Sequence, residues 1–373
     1  MKKTLFIFTC IALLVFFSCS EKAPSVQIEE GDTATDVADV PVVNEPVAPP
    51  TPDVTEPDPK PDIDETLTER SALTGLPISV EESRIRPTAV VFNNHNKALP
   101  QVGIKDADVV WEFNVEGGIT RLLAIYSDIS KVETIGAVRS GRDYFLDVAE
   151  MYGALLVHAG GSDSFYAEDK ARGYDNIDEV NMHTIPSDTF WRNSEKRYSR
   201  GYEHSLETSG KKLIKAFESQ RYKLECDSNK PLFEFSEERF APSGDTAEII
   251  SAKHSAYITP RFIYNSEDGK YYKESYNAPH VDEATGEPLS FDNLLIVFAS
   301  QRVVDEYLRL EIDLSGTGDA ILVTAGHCVD IKWKISDGRL AIEYPDGTDV
   351  PLNVGKTHIT VFNALHKDGI IIE

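Results

Sequence analysis

Two arginines three positions apart bracket the run Arg139-Ser140-Gly141-Arg142, and Asp143 follows it. Tyr144, Phe145, Val148, Met151 and Tyr152 then recur at helical spacing. This predicts a helix over 141–152, with Ser140 and Asp143 placed as a capping box. At such a start, free backbone N–H groups, the helix dipole and two guanidinium groups converge, which is the chemistry of an anion site. The next run, Ala154-Leu-Leu-Val-His158, reads as a buried strand ending at Gly160-Gly161. Carboxyl ends of adjacent parallel strands share the crevice in which open α/β sheets bind ligands. Arg139, Ser140, Arg142, His158, Gly160 and Gly161 are therefore expected to line one anion pocket, with Glu112, Glu116, Arg121 and His204 as further candidates. Each has a plainer reading beside this one. Ser140 serves as a helix cap, the arginines as salt-bridge partners of surface carboxylates, His158 as a hydrogen-bonded core histidine, and the glycines as turns.

Other chemistries lack their residues. His183 and His204 have no HxxxH or CxxC spacing around them, so no metal site is expected. There is no P-loop, GxSxG elbow or GxGxxG following a first strand, so no cofactor is expected and catalytic residues stay unassigned. The formal net charge of -25 and pI of about 4.7 argue against nucleic acid as a partner. They argue equally against electrostatic attachment to anionic lipid. Of the four cysteines, Cys10 lies in an apolar leader and Cys19 at its end. Cys226 and Cys328 either pair in an oxidising compartment or remain two buried thiols.

The positioning elements follow from periodicity. Residues 1–18 read as a signal peptide: Lys2 and Lys3, an apolar run too short to span a bilayer, then Ser18-Cys19 in the form of a lipobox. Residues 19–70 read as a disordered Pro- and acid-rich tether carrying lipid on Cys19. Together they place the protein at the cell membrane, lipid-anchored and extracytoplasmic. From 71 to 225, strands are expected at 88–92, 107–113, 122–126, 134–138 and 154–158, with helices at 141–152 and 209–220. The last two strands and the helix between them form a βαβ unit, so part of the sheet is parallel. Residues 226–244 read as a connection. From 245 to 373, turns such as Glu267-Asp-Gly-Lys270 and Ser336-Asp-Gly-Arg339 separate short alternating runs, among them 256–258, 294–298 and 358–362. These predict an all-β sandwich or barrel-like domain with Trp333 in its core. The fold class is thus α+β: a mixed α/β sheet domain with a βαβ unit, then an all-β domain, expected to fold as separate units.

Several runs together resemble the YerB-like bacterial lipoproteins over about residues 71–365. They are Leu73-Thr-Gly-Leu76, Arg86-Pro87 with Asn93, Ala107-Asp108 with Glu112, Glu116-Gly-Gly-Ile-Thr-Arg121 and Gly136-Ala-Val-Arg139-Ser140-Gly-Arg142. His158-Ala-Gly-Gly161, His204, Asp313-Leu-Ser-Gly-Thr-Gly318 and Pro351-Leu-Asn-Val-Gly355 complete the set. Gly141 stands where the family's RSAR-like form has alanine, which leaves both arginines in place and makes the turn more flexible. The resemblance implies an anchored extracytoplasmic protein of two domains and no established reaction. Three functions follow as alternatives: a binding module with an anion pocket and a β domain that docks a partner, an envelope enzyme acting on a phosphorylated or lipid-linked glycan, or an assembly scaffold. The enzyme reading draws on a likeness of pattern between Thr120-Arg121 through Arg139 and the LytR-CpsA-Psr phosphotransferases.

Overall fold

The computed structural model describes residues 68–226, 230–336 and 338–373. The leader, the Cys19 lipobox and the tether lie outside the described residues. The first region supplies strands β1 (Thr88–Asn93), β2 (Val109–Asn114) and β3 (Thr120–Tyr126), then helix α1 (Asp143–Met151). Next come β4 (Leu155–His158), helix α2 (Asp163–Arg172), β5 (Asn176–Asp178) and helix α3 (Gly210–Ser219). The second region is built of strands: β6 (Ile249–Ala252), β7 (Arg261–Asn265), β8 (Lys270–Ser275), β9 (Asn293–Val303), β10 (Leu310–Asp313), β11 (Thr317–Thr324), β12 (His327–Ser336), β13 (Arg339–Glu343), β14 (Thr357–Asn363) and β15 (Ile370–Ile372).

One eleven-stranded sheet runs through both regions in the order β13-β12-β11-β9-β14-β2-β3-β1-β4-β5, with β10 beside β9. Two regions of different architecture are present, as expected, but strand pairing joins them. β14, from the second, lies parallel between β9 and β2, with Val361 opposite Phe113. β1 and β3 are buried along their whole length, which explains their unbroken apolar runs: both faces of the sheet are covered. One face packs Tyr144, Phe145 and Val148 of α1 against Trp111, Leu123 and Val91, and continues to Trp333 and Leu322. The other packs Phe217 and Leu213 of α3 against Val157 and Leu155, and Phe262 and Tyr271 of a second, antiparallel sheet (β8-β7-β6-β15) against Leu294 and Ile296. The second region is therefore two stacked sheets.

Three local expectations are corrected. The βαβ unit exists, but it is β4-α2-β5, with β4 and β5 parallel. Of 134–138 only Ile135–Gly136 is strand, and it pairs antiparallel with Leu206–Thr208 in a separate three-stranded sheet. Residues 256–258 are not strand; Ser255 Oγ accepts from the N–H groups of Tyr257 and Ile258 and holds them in a turn. Cys226 and Cys328 are both free thiols, each half-buried.

Candidate functional site: the Arg139 cleft

Parallel pairing of β1 with β4 stops at Val90–Val157. Beyond it the extended segment 138–141 wedges between the two strand ends. Arg139 N–H donates to Val91 O at 2.8 Å, Ala159 N–H donates to Arg139 O at 3.0 Å, and Gly141 N–H donates to Gly160 O at 2.9 Å. A cleft of about 440 Å³ opens above this wedge, at the carboxyl ends of β1, β4 and β5. Its walls include Arg139, Ser140, Gly160, Gly161, Tyr166, Asn181, Arg192, Tyr202 and Glu203.

The wedge overturns the expected capping box. Residues paired on both sides stay extended, so the helix begins only at Asp143, and its N-cap is Arg142 (φ -134°, ψ 152°) with no side-chain cap bond. Ser140 is a cleft residue and not a cap. Among the described residues its hydroxyl has no hydrogen-bonded base.

Beneath the wedge lies a group of opposed charges. Glu116 accepts from Arg121 Nη2 at 2.9 Å and from Arg142 through both Nε (3.1 Å) and Nη2. The same arginines also hold the wedge, Arg121 donating to Ser140 O at 2.9 Å and Arg142 to Gly141 O at 2.6 Å. Burial alone would raise the Glu116 carboxyl, but Arg121 and Arg142 outweigh it and hold Glu116 at about 2. Burial, aided by Arg142, lowers Arg121 to about 9. Two buried guanidiniums thus share one carboxylate.

His158 is fully buried under the floor. Nδ1 faces Gly160 O at 2.9 Å and Nε2 faces Asn176 Oδ1 at 3.2 Å. The Asn176 amide nitrogen is committed to Asp169 and Tyr174. Both ring nitrogens therefore face oxygen atoms. His204 connects from behind: Nδ1 lies 2.9 Å from Asn93 Nδ2, its ring stacks on His95 at 5.1 Å, and Nε2 is 3.5 Å from the Glu203 carboxylate. Glu203 in turn pairs with Arg139 at 2.5 Å.

Glu112 belongs elsewhere. Successive residues of β2 face opposite sides of the sheet, so Glu112 points away from Trp111 and Phe113, into the core under the second sheet. It is fully buried and accepts from Lys273 Nζ at 2.5 Å and from Thr120 Oγ1 at 2.7 Å, with His358 Nε2 at 3.3 Å. Burial opposes its charge, but Lys273 and the His358 hydrogen bond hold the carboxyl well below its ordinary value. The pair links β2 of the first region to β8 of the second. The sequence did carry a signal for Lys273: the strict alternation of β8 puts it on the inward side with Tyr271 and Ser275. Arg192, Asn181, Tyr202 and Glu203 were missed because they lie in an irregular stretch without period. A larger cleft, about 1020 Å³, lies beside Arg86, Tyr152 and Arg339. It holds none of the sequence candidates, and Arg86 there is already paired with Asp175 at 2.6 Å.

A mixed sheet with a cleft at its parallel strand ends, continued by a stacked β region, defines the class. Residues 73–223 match the N-terminal domain, and 250–359 the C-terminal domain, of a protein of unknown function, DUF3048. The chain belongs to this family. It is 32% identical over 292 residues, 78% of this chain and 86% of its relative, to a Bacillus subtilis protein named "Putative lipoprotein YerB". It is also similar to the crystal structure of the YerB protein from Bacillus subtilis, with a TM-score of 0.72 at 30% identity, covering 82% of this chain and 99% of that one. Among the described residues no helix is long and apolar enough to cross a membrane.

Proposed function

We propose that the chain is a membrane-anchored lipoprotein, tethered through Cys19 on the extracytoplasmic face, that binds an anionic envelope ligand in the Arg139 cleft. The β region would dock a protein partner. The lipoprotein name of a relative that spans most of the chain supports the anchor. The observation that carries the ligand class is the gathering of guanidiniums at the cleft: Arg121 and Arg142 around Glu116 behind the wedge, and on the walls Arg139 and Arg192, whose partners Glu203 and Glu179 an incoming anion would replace. Phosphate and carboxylate are the groups that guanidinium forks hold in two-point contacts. Ser140 without a base favours binding over transfer through that hydroxyl.

Thermal melts of the protein in inorganic phosphate or pyrophosphate test this. A ligand at a hundred times its Kd adds about 2.7 kcal/mol of apparent stability. Wild type should gain anion-dependent stability, and Arg139→Ala should lose that gain. No anion-dependent gain in wild type at millimolar pyrophosphate would sink the proposal.

A further inference from the structure

In the block of the large sheet from β9 to β5, six strands, β9, β14, β2, β1, β4 and β5, run in one direction, and β3 runs against them. Their carboxyl ends therefore reach a single edge. Among the described residues eleven large apolar side chains stand clearly exposed, and eight belong to that edge. Val303, Val304, Tyr307 and Leu308 form the tip of the β9–β10 hairpin, which runs on past the point where β9 leaves β14 at Ala299. Leu365, 81% exposed, follows the end of β14, and Tyr257 lies against Gly118 in the turn after β2. The other two, Val180 and Tyr202, stand in the Arg139 cleft. By contrast Leu76 lies at the opposite edge, where Thr74 O accepts from Gly355 N–H just ahead of β14. Single exposed apolar side chains are ordinary on a soluble surface; what sets these apart is that eight of the eleven stand at one edge.

We propose that this edge docks on the surface of the bilayer to which the chain is tethered, so that the Arg139 cleft faces the lipid head-group phosphates. The proposal rests on the anchor and the anion site argued above. The apolar residues do not form one groove for a helix or strand. They are separate outcrops spread along a row of strand ends, a form suited to a broad, soft surface. Tyrosine and aliphatic tips with arginines beside them are the composition of membrane interfaces. The hairpin carries Arg302 and Arg309 against Asp305, Glu306, Glu311 and Asp313, and both arginines are paired, Arg302 with Glu311 and Arg309 with Asp305. The chain's net charge of -25 would keep a free protein off anionic lipid. The 48 residues between Cys19 and Thr68 remove the difficulty, because a short connection makes a weak contact effectively intramolecular.

The test uses the full lipidated chain on phosphatidylcholine vesicles, with tryptophan placed by Tyr307→Trp, Leu365→Trp or Leu76→Trp. Lipids brominated on their acyl chains quench tryptophan that enters the interface. The emission added by Tyr307→Trp and Leu365→Trp should fall by about twofold or more, and that added by Leu76→Trp should not. Equal quenching at the three positions, or none, in protein that floats with the vesicles would overturn the docking and leave the anchor standing. Protein that fails to float would overturn both. A minor fraction of phosphatidic acid should deepen the Tyr307→Trp quenching, and Arg139→Ala should abolish that increment; an increment unchanged by Arg139→Ala, or absent, would remove the head group from the cleft.

Discussion

Arg139 and Arg142 are alike in the sequence and differ in the fold. Arg142 is 7% exposed and shares Glu116 with Arg121, whereas Arg139 meets a half-exposed Glu203. Removing one partner of a buried pair costs about 3–5 kcal/mol, and Arg142→Ala should lie near 3 because Arg121 still pairs with Glu116. Arg139→Ala should cost less than about 1 kcal/mol, as surface pairs do. Urea melts compare them, and equal losses would make Arg139 a structural residue too. The buried group around Glu112 gives a pH dependence. Burial, with Lys273 nearby, pushes His358 down to about 4 and His280 to about 3, against an ordinary 6.5. Below 6.5 the unfolded chain therefore binds protons that the folded chain refuses, so stability falls as pH drops from about 6.5 toward 4. The slope is about 1.4 kcal/mol per pH unit for each histidine. A urea midpoint that stays level between pH 7 and 5.5 would contradict this.

At the scale of elements, the wedge depends on two glycines closing over one ring. A Cβ on Gly141 would stand 2.6 Å from the Phe165 ring, and one on Gly161 would stand 2.5 Å from it. Gly141 is thus a matter of space, not the flexible turn expected from its departure from the family's alanine. Gly141→Ala should cost about 1–3 kcal/mol, as overpacking does, and Phe165→Leu in the same chain should restore part of it. A neutral Gly141→Ala in urea melts would mean that the ring moves aside freely. These contacts mark where the sequence stopped being legible. β1, β3 and β4 announced themselves by unbroken apolar runs, and α1 and α3 by helical period. The start of α1 did not, because Ser140 and Asp143 make a local pattern while extension of 138–141 is imposed by bonds to Val91 and Gly160. The cleft was legible as far as Arg139, Ser140, Gly160 and Gly161. Glu112 misled because β2 is covered on both faces, and alternation cannot say which face is which.

For the whole molecule, the two family domains, 73–223 and 250–359, are separate in sequence while the sheet runs through both. A fragment of 71–225 would leave β2 without β14 and Glu112 without Lys273 and His358. A buried charge stranded in this way costs about 3–5 kcal/mol, a large part of a domain's stability. The fragment alone should give poorly dispersed amide spectra, and adding residues 230–373 should restore dispersion. A well-dispersed spectrum from 71–225 would show that the first region closes its own edge. The central place of β14 also bears on how the chain is made. A strand ending at Asn363 fills the middle of the sheet, so the sheet cannot close until the chain has been made past that residue. Until then β9 and β2 lack the strand that joins them. Any product cut short before β14 would expose two open strand edges and present itself for proteolysis.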